Sequence, residues 1–486
     1  MSNAIQGLVP APLWEHFARI SAIPRPSKKE EKIAAHIVEV ARSNGLDVRR
    51  DATGNIVVEK PASAGKGSSA MIALQSHIDM VCEKNKDVKH DFDKDGIQLV
   101  RTNGYVKANG TTLGSDNGIG VAAAMSVMLD ASLVHGPLEL LFTVDEETGL
   151  TGANGLQADF LKSRILINLD SEEDGALYVG CSGGRDTILT LGTARESAPA
   201  GLVPMTLSVS GLRGGHSGLD INTGRANAIK LLGRVLWHVS QSSDIRVARI
   251  EGGSKRNAIP REAEATLFVS EDQMETIKKK VSQLNTILKN EYGTVEPGLL
   301  LAFSAPTSDE TRQVLLKKDQ NRLIEGLYVL PHGVISMSAD IQGLVETSTN
   351  VATVHTEAGE VVIGTSQRSS VNTALDDIVT RVRIIGGLLG MVPQTTDGYP
   401  GWKPNLNSRV LKVTQQTCKQ LFGKDPAVKA IHAGLECGII GEKFPGMDMV
   451  SFGPTIEGAH SPDERVEIAT VQKFWDLLTG VLKHLS

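Results

Sequence analysis

Thiolate metal-ligand spacing, long apolar runs and basic blocks are all missing from this chain. Its four cysteines, Cys82, Cys181, Cys418 and Cys437, are scattered without CxxC spacing. This argues against a disulfide framework or a thiolate zinc site, and the four read as reduced, buried small residues of a cytoplasmic protein. No apolar run approaches the ~20 residues of a membrane span, so no membrane partner is expected. The segment "MSNAIQGLVPAPLWEHF" lacks a basic stretch followed by an apolar one, and no secretory signal is read there. Fifty basic against 56 acidic residues leave a net charge of −6 without a basic block, which argues against a nucleic-acid partner. Aromatic residues are scarce at 4%, whereas 49 glycines point to many tight turns and close backbone approaches.

At 486 residues the chain is too long for one ordinary core, and two domains are expected. "APLWEHFARISAI" and "KKEEKIAAHIVEVARSNG" have helical periodicity, the second stopping at Gly45. "NIVVEK", "MIALQSH", "LELLFTV" and "RILINLD" read as short strands buried on both faces, as in a sheet sandwiched by helices. "DNGIGVAAAMSVMLDAS" reads as a small-residue helix able to pack closely on that sheet.

After about residue 187 the texture becomes β–α–β–α, through "PMTLSVSGL", "RANAIKLLGRVLWHVS", "AEATLFVS" and "QMETIKKKVSQLNTILKN". A similar theme recurs at "TNVATVHTEAGEVVIGTSQ" and "ALDDIVTRVRIIGGLLG". "GYPGWKPN" reads as a linker, beyond which the first region's texture returns. The expected class is therefore α/β: a helix-flanked mixed sheet in 1–186 and 398–486, with an inserted α+β domain at 187–397.

Several strands of the first region end in metal-ligand residue types. "MIALQSHIDM" ends with His77 and Asp79, "LELLFTVDEE" with Glu146 and Glu147, and "RILINLDSEE" with Asp170. Asp116 precedes the small-residue helix, and His460 follows the late apolar run "MDMVSF". Ligands bind in the crevice beyond the carboxyl ends of strands in open α/β sheets.

Singly, each of these residues has a plain structural reading: a surface pair, a helix cap or a turn. Five such residues, most of them at the end of an apolar strand, favour a metal centre. Mixed His/Asp/Glu ligation suits zinc, with manganese or cobalt as substitutes. A two-metal site needs a bridging carboxylate and about two further ligands per metal. His77, Asp116, Glu147, Asp170 and His460 meet that count with Asp116 as the bridge. Asp79 could fix the His77 tautomer, and Glu146 is left over for the general base.

The pieces "SHIDMV", "GSDNGIG", "DEETG", "NLDSEE" and "AHSPDE" resemble the di-zinc peptidases related to glutamate carboxypeptidase, peptidase T and acetylornithine deacetylase. Through "KANGTTLGSDNGIG", "GLRGGHSG", "RNAIPREA", "YPGWKPN", "IHAGLECG" and "MDMVSFGPTIEGAHSPDE" the resemblance closes on the cytosolic aminoacyl-histidine dipeptidase branch, the carnosinase-like or peptidase D type.

The resemblance implies one zinc on His77, Asp116 and Asp170, a second on Asp116, Glu147 and His460, and Glu146 as base. It implies a cis peptide at Asp116–Asn117. It also makes the first region the catalytic domain and the insertion a lid. There His216 would donate to the scissile carbonyl oxygen, and Asn257 and Arg368 would hold the substrate's polar end. Glu436 is expected near the site as a substrate-binding residue of open role.

The implied activity is hydrolysis of dipeptides with a free N-terminus, Xaa-His and carnosine included, in which Glu146 takes a proton from water held at two metals. The alternatives are a related di-zinc aminoacylase, deacetylase or tripeptidase, or an inactive zinc-binding relative. A homodimer is left open.

Overall fold

In a computed structural model of the chain, residues 3–306 and 312–486 are described. The expected segments 1–186 and 187–397 include residues 1–2 and 307–311, which lie outside them. The described residues divide into two compact units, one from 1–180, 402–430 and 435–486, the other from 181–401 and 431–434.

In the first unit the apolar segments become adjacent parallel strands. Leu138–Thr143 pairs in parallel with Ile72–His77, which pairs with Ile165–Asn168, which pairs with Asp448–Ser451. Every residue of Ile72–His77 and Leu138–Thr143 is buried, as expected of strands covered on both faces. Asp47–Arg50 and Ile56–Lys60 continue the sheet antiparallel on one side. Ala176–Cys181 and Ala427–Ile431 complete its eight strands on the other, so the sheet is mixed.

The parallel strands share a direction, so their carboxyl ends gather on one edge of the sheet. A separate four-stranded sheet joins Ile456–Glu457, Arg465–Glu467, Tyr105–Ala108 and Leu99–Thr102. It holds the loop carrying His460 between two short paired strands.

The helix Glu31–Ser43 ends just before Gly45, whose φ of 73° is the left-handed conformation glycine adopts without a Cβ clash. The helix Ser115–Leu129 is buried continuously from Gly118 to Met128. Its small side chains let the sheet approach closely: a Cβ on Gly120 would lie 2.2 Å from Asn117 Oδ1 and 2.7 Å from the Leu169 carbonyl oxygen.

Among the described residues of the second unit, the two strand-and-helix blocks form one nine-stranded sheet. The blocks join where Arg246–Gly252 pairs with Val345–Glu357, at Glu251↔His355 and Gly252↔Val354. Its core includes Leu232, Val235 and Leu236 of the helix Ala228–Ser240, with Leu284, Leu323 and Val382 from three further helices. Residues 183–186, expected in the first region, run in the strand Gly183–Gly192 of this sheet, and Tyr399 bridges to Gly184. Residues 431–434 also belong here, because Ser182 N–H donates to the carbonyls of Ile431 and Ala433.

Gly120→Ala should destabilise the first unit by about 1–3 kcal/mol, because a backbone carbonyl must move to admit the methyl group. A thermal midpoint equal to wild type in the metal-free protein would contradict this close packing.

Candidate active site

His77 ends its strand with its ring 1% exposed. Its Nε2 lies 3.0 Å from Asp116 Oδ1 and 3.2 Å from Asp170 Oδ1. His460 Nε2 lies 3.2 Å from Asp116 Oδ2 and 3.0 Å from Glu147 Oε2. Asp116 thus presents one oxygen to each imidazole. The sets His77–Asp116–Asp170 and Asp116–Glu147–His460 each keep their candidate ligand atoms within 4.8 Å of one another. Glu146 also groups with His77 and Glu147 by that measure.

The backbone around these groups is tightly held. Asp79 Oδ1 lies 3.3 Å from His77 Nδ1 and accepts the Glu146 N–H at 3.1 Å. Asp79 Oδ2 accepts the Glu147 N–H at 3.2 Å and the Ser27 hydroxyl at 2.8 Å. One carboxylate therefore stands beside an imidazole nitrogen and fixes the segment that presents both glutamates.

Asp145 completes this turn. Its φ of 48° is left-handed, Thr148 and Thr151 donate to its carboxylate, and Glu30 Oε1 accepts its N–H at 2.9 Å. His460 is also left-handed, at φ 63°. Histidine enters that region more readily than most side chains, and here it goes with an imidazole aimed at Asp116 and Glu147. The Asp116–Asn117 peptide is cis. Asn117 Nδ2 donates to the Leu169 carbonyl at 2.8 Å and to Asp170.

The electrostatics explain what such crowding needs. Burial pushes the Glu146 carboxyl well above its ordinary range, with Asp170, Glu436 and Glu147 adding to the push and His77 opposing it. Burial also raises Asp170 to about 6, with Asp116 and Glu147 reinforcing the shift against His77. Burial works against the Asp79 carboxylate, yet His77, the Glu146 N–H and Ser27 hold it at about 2.

The hydrogen bonds to Asp116 and Glu147 raise His460 to about 11. Burial disfavours a charged His77, but Asp170, Asp116 and Asp79 outweigh it and hold a proton there. Protonated imidazoles thus balance part of the carboxylate charge. Hard or borderline divalent cations would balance more, with oxygen and imidazole ligands already converged. Glu147 Oε1, buried without a hydrogen-bond partner among the described residues, fits that role.

Glu436, expected near the site with its role open, lies close enough to Glu146 to push that carboxyl up. It is 0% exposed, and its Oε2 accepts Gln75 Nε2 at 2.6 Å and the Thr143 hydroxyl at 2.7 Å. Burial raises its carboxyl to about 7. Its hydrogen bonds make it a buried support for the strands that carry His77 and the glutamates.

Two residues without a role in the sequence reading, Arg25 and Glu464, also reach the ligand loops. Glu464 stands inside the motif "AHSPDE", so the motif itself was the available signal. Arg25, between two prolines, carried none.

The other three expected residues lie in the second unit. His216 sits in a two-residue strand, Gly215–His216, opposite Ala258–Ile259, so Asn257 adjoins its partner and is exposed. His216 Nδ1 accepts N–H bonds from Gly218 at 3.2 Å and Leu219 at 3.1 Å, which places the ring proton on Nε2. Burial, and then the charge of Arg368, lower its pKa and keep the ring neutral. Arg368 Nη1 donates to the Tyr399 hydroxyl at 2.9 Å, while its buried Nε has no hydrogen-bond partner among the described residues.

The neighbouring carboxylates favour protons on His77 and His460, which cations bound at those imidazoles would have to displace. Calorimetric titration with zinc near neutral pH, in buffers of differing ionisation enthalpy, should show release of about two protons. Affinity should fall as pH is lowered. Binding without proton release would contradict the ligand assignment.

Residues 73–484 match the family model described as Peptidase family M20/M25/M40. The chain is 45% identical over 483 residues to the cytosol non-specific dipeptidase of Escherichia coli strain K12, with 99% of each covered. It is similar to the crystal structure of aminoacylhistidine dipeptidase from Vibrio alginolyticus, at 44% identity and a TM-score of 0.92, over 99% of this chain and 97% of that one. Aminopeptidase PepT from Bacillus cereus, at 16% identity and a TM-score of 0.57 over 98% and 99% of the two chains, shares the fold. With a family model matched over most of its length and a relative this similar across nearly all of it, the chain belongs to peptidase family M20/M25/M40.

Proposed function

We propose that this chain is a cytoplasmic dipeptidase that hydrolyses dipeptides with a free N-terminus, Xaa-His dipeptides included and carnosine among the candidates. The observation that carries this reading is a carboxylate shared between two imidazole-carboxylate sets, Asp116, beside a further half-buried glutamate, Glu146. The full-length likeness to dipeptidases supports the substrate class.

His77, Asp116 and Asp170 would hold one zinc ion, and Asp116, Glu147 and His460 a second. Such ions would supply Lewis acidity for a water and for the scissile carbonyl. Glu146 accepts the proton of the attacking water and returns it to the leaving amine. A carboxyl beside both three-residue sets and used by neither suits both transfers. Asp79 holds His77 and the Glu146–Glu147 backbone in place throughout.

His216, of this chain or of a second copy, would donate its Nε2 proton toward the carbonyl oxygen as negative charge builds there. A neutral ring whose Nδ1 is already engaged presents that donor without adjustment. Arg368, steadied by Tyr399 at Nη1, offers its Nε edge to the carboxylate of a short peptide. Asn257, beside His216, contributes a further polar contact at that end. A carboxylate clamp limits substrates to very short peptides.

Glu146→Ala should lower kcat by about 10²–10⁴-fold and leave zinc content unchanged. The assay pairs the zinc-loaded protein with Ala-His, β-alanyl-histidine, N-acetyl amino acids and a tripeptide. Wild-type turnover by the variant would refute the base, and preference for the acetylated substrates or the tripeptide would refute the dipeptidase reading.

A further inference from the structure

Glu464 is 2% exposed and is the most heavily hydrogen-bonded carboxylate near the ligands. Its Oε2 accepts the N–H groups of Leu113 at 2.8 Å and Gly114 at 2.9 Å. Its Oε1 accepts the Ser115 N–H at 2.7 Å, the Ser115 hydroxyl at 2.6 Å and the Asp116 N–H at 3.2 Å. Four successive backbone N–H groups converging on one carboxylate form an anion-binding nest.

The nest exists because Gly114 is left-handed, at φ 68°. A Cβ there would lie 2.5 Å from Arg25 Nη2 and 2.8 Å from Met80 sulfur. Arg25, 1% exposed, grips the same loop from the other side. Its Nη2 donates to the Gly114 carbonyl, and its Nη1 to those of Ile78 at 3.1 Å and Asp79 at 2.7 Å. The two residues thereby connect three ligand-bearing segments. Arg25 ties the end of the His77 strand to the loop before Asp116. Glu464 ties that loop to the hairpin that carries His460 four residues earlier.

We propose that Glu464 and Arg25 are positioning residues of the metal centre. The nest of Leu113–Asp116 on the Glu464 carboxylate fixes the backbone of the bridging residue, so that Asp116 meets the His77 and His460 sets together. This rests on the two-metal reading above. A nest that only satisfied loop N–H groups would contribute stability and leave metal affinity alone. A nest that sets the bridge must be felt by the metals.

Glu464→Gln separates the two. The amide has the carboxylate's shape, but both carboxylate oxygens face donors only. Either amide orientation then sets an NH₂ against N–H groups, displacing the loop. The measurement is zinc affinity of the metal-free full chain by chelator competition, with cobalt absorption as a readout of ligand geometry and circular dichroism as a check of folding.

Glu464→Gln should bind zinc about 10–100-fold more weakly, with an altered cobalt spectrum. Arg25→Lys, which keeps the charge and loses the fork, should shift affinity in the same direction. Ser115→Ala, which removes one donor from Oε1, should have a smaller effect. Folded Glu464→Gln with wild-type affinity and spectrum would overturn the proposal. If that variant does not fold, Ser115→Ala and Arg25→Lys decide, and affinities of both within about twofold of wild type would equally overturn it. Wild-type protein that takes up no zinc would instead remove the two-metal reading itself.

Discussion

Buried carboxylates repel one another, and the centre of the first unit is built around that repulsion. Asp79, Asp116, Glu146, Glu147 and Asp170 meet where parallel strands end, and burial raises the pKa of Glu146 and Asp170. Keeping so many charges on side chains with little exposure is costly. Asp116 is the group through which the crowding is resolved, since its two oxygens serve two imidazoles at 3.0 and 3.2 Å. Protons take part of that charge in the metal-free protein, and the same geometry suits divalent cations.

The fold supplies the convergence at low conformational cost. Parallel strands buried on both faces hold a common direction, so His77, the Glu146–Glu147 turn and Asp170 need only short loops to meet. The helix carrying Asp116 packs through glycine and alanine, and the His460 loop is clamped between two short strands. Asp145 and His460 both have left-handed backbone, a region that Asp and His enter more readily than most side chains. In the second unit, backbone N–H groups settle the tautomer of His216, and Tyr399 steadies Arg368.

Much of this was legible in the sequence, for a definite reason. Ligand chemistry requires His, Asp and Glu, and those residue types stand out at the ends of apolar strands. The family motifs added the pairing of ligands and the cis Asp116–Asn117 peptide. What escaped was whatever depended on backbone geometry. Glu464 reads as a turn acid in "SPDE", because nothing local shows that four N–H groups from residues 113–116 will meet it. Arg25 donates only to carbonyls, which every residue has. Nothing local in "HAGLECG" shows that Glu436 will accept hydrogen bonds from Gln75 and Thr143. The two α+β blocks merged into one sheet through a pairing between residues about a hundred positions apart, which periodicity does not report.

The central claim is that Asp116 is shared between two cations. Crystals grown with zinc and measured at the zinc absorption edge test it most directly. The account predicts two anomalous peaks about 3.5–4 Å apart, one beside His77 and Asp170 and one beside Glu147 and His460, with an Asp116 oxygen on each. A single peak, or two peaks with Asp116 bound to only one, would contradict it.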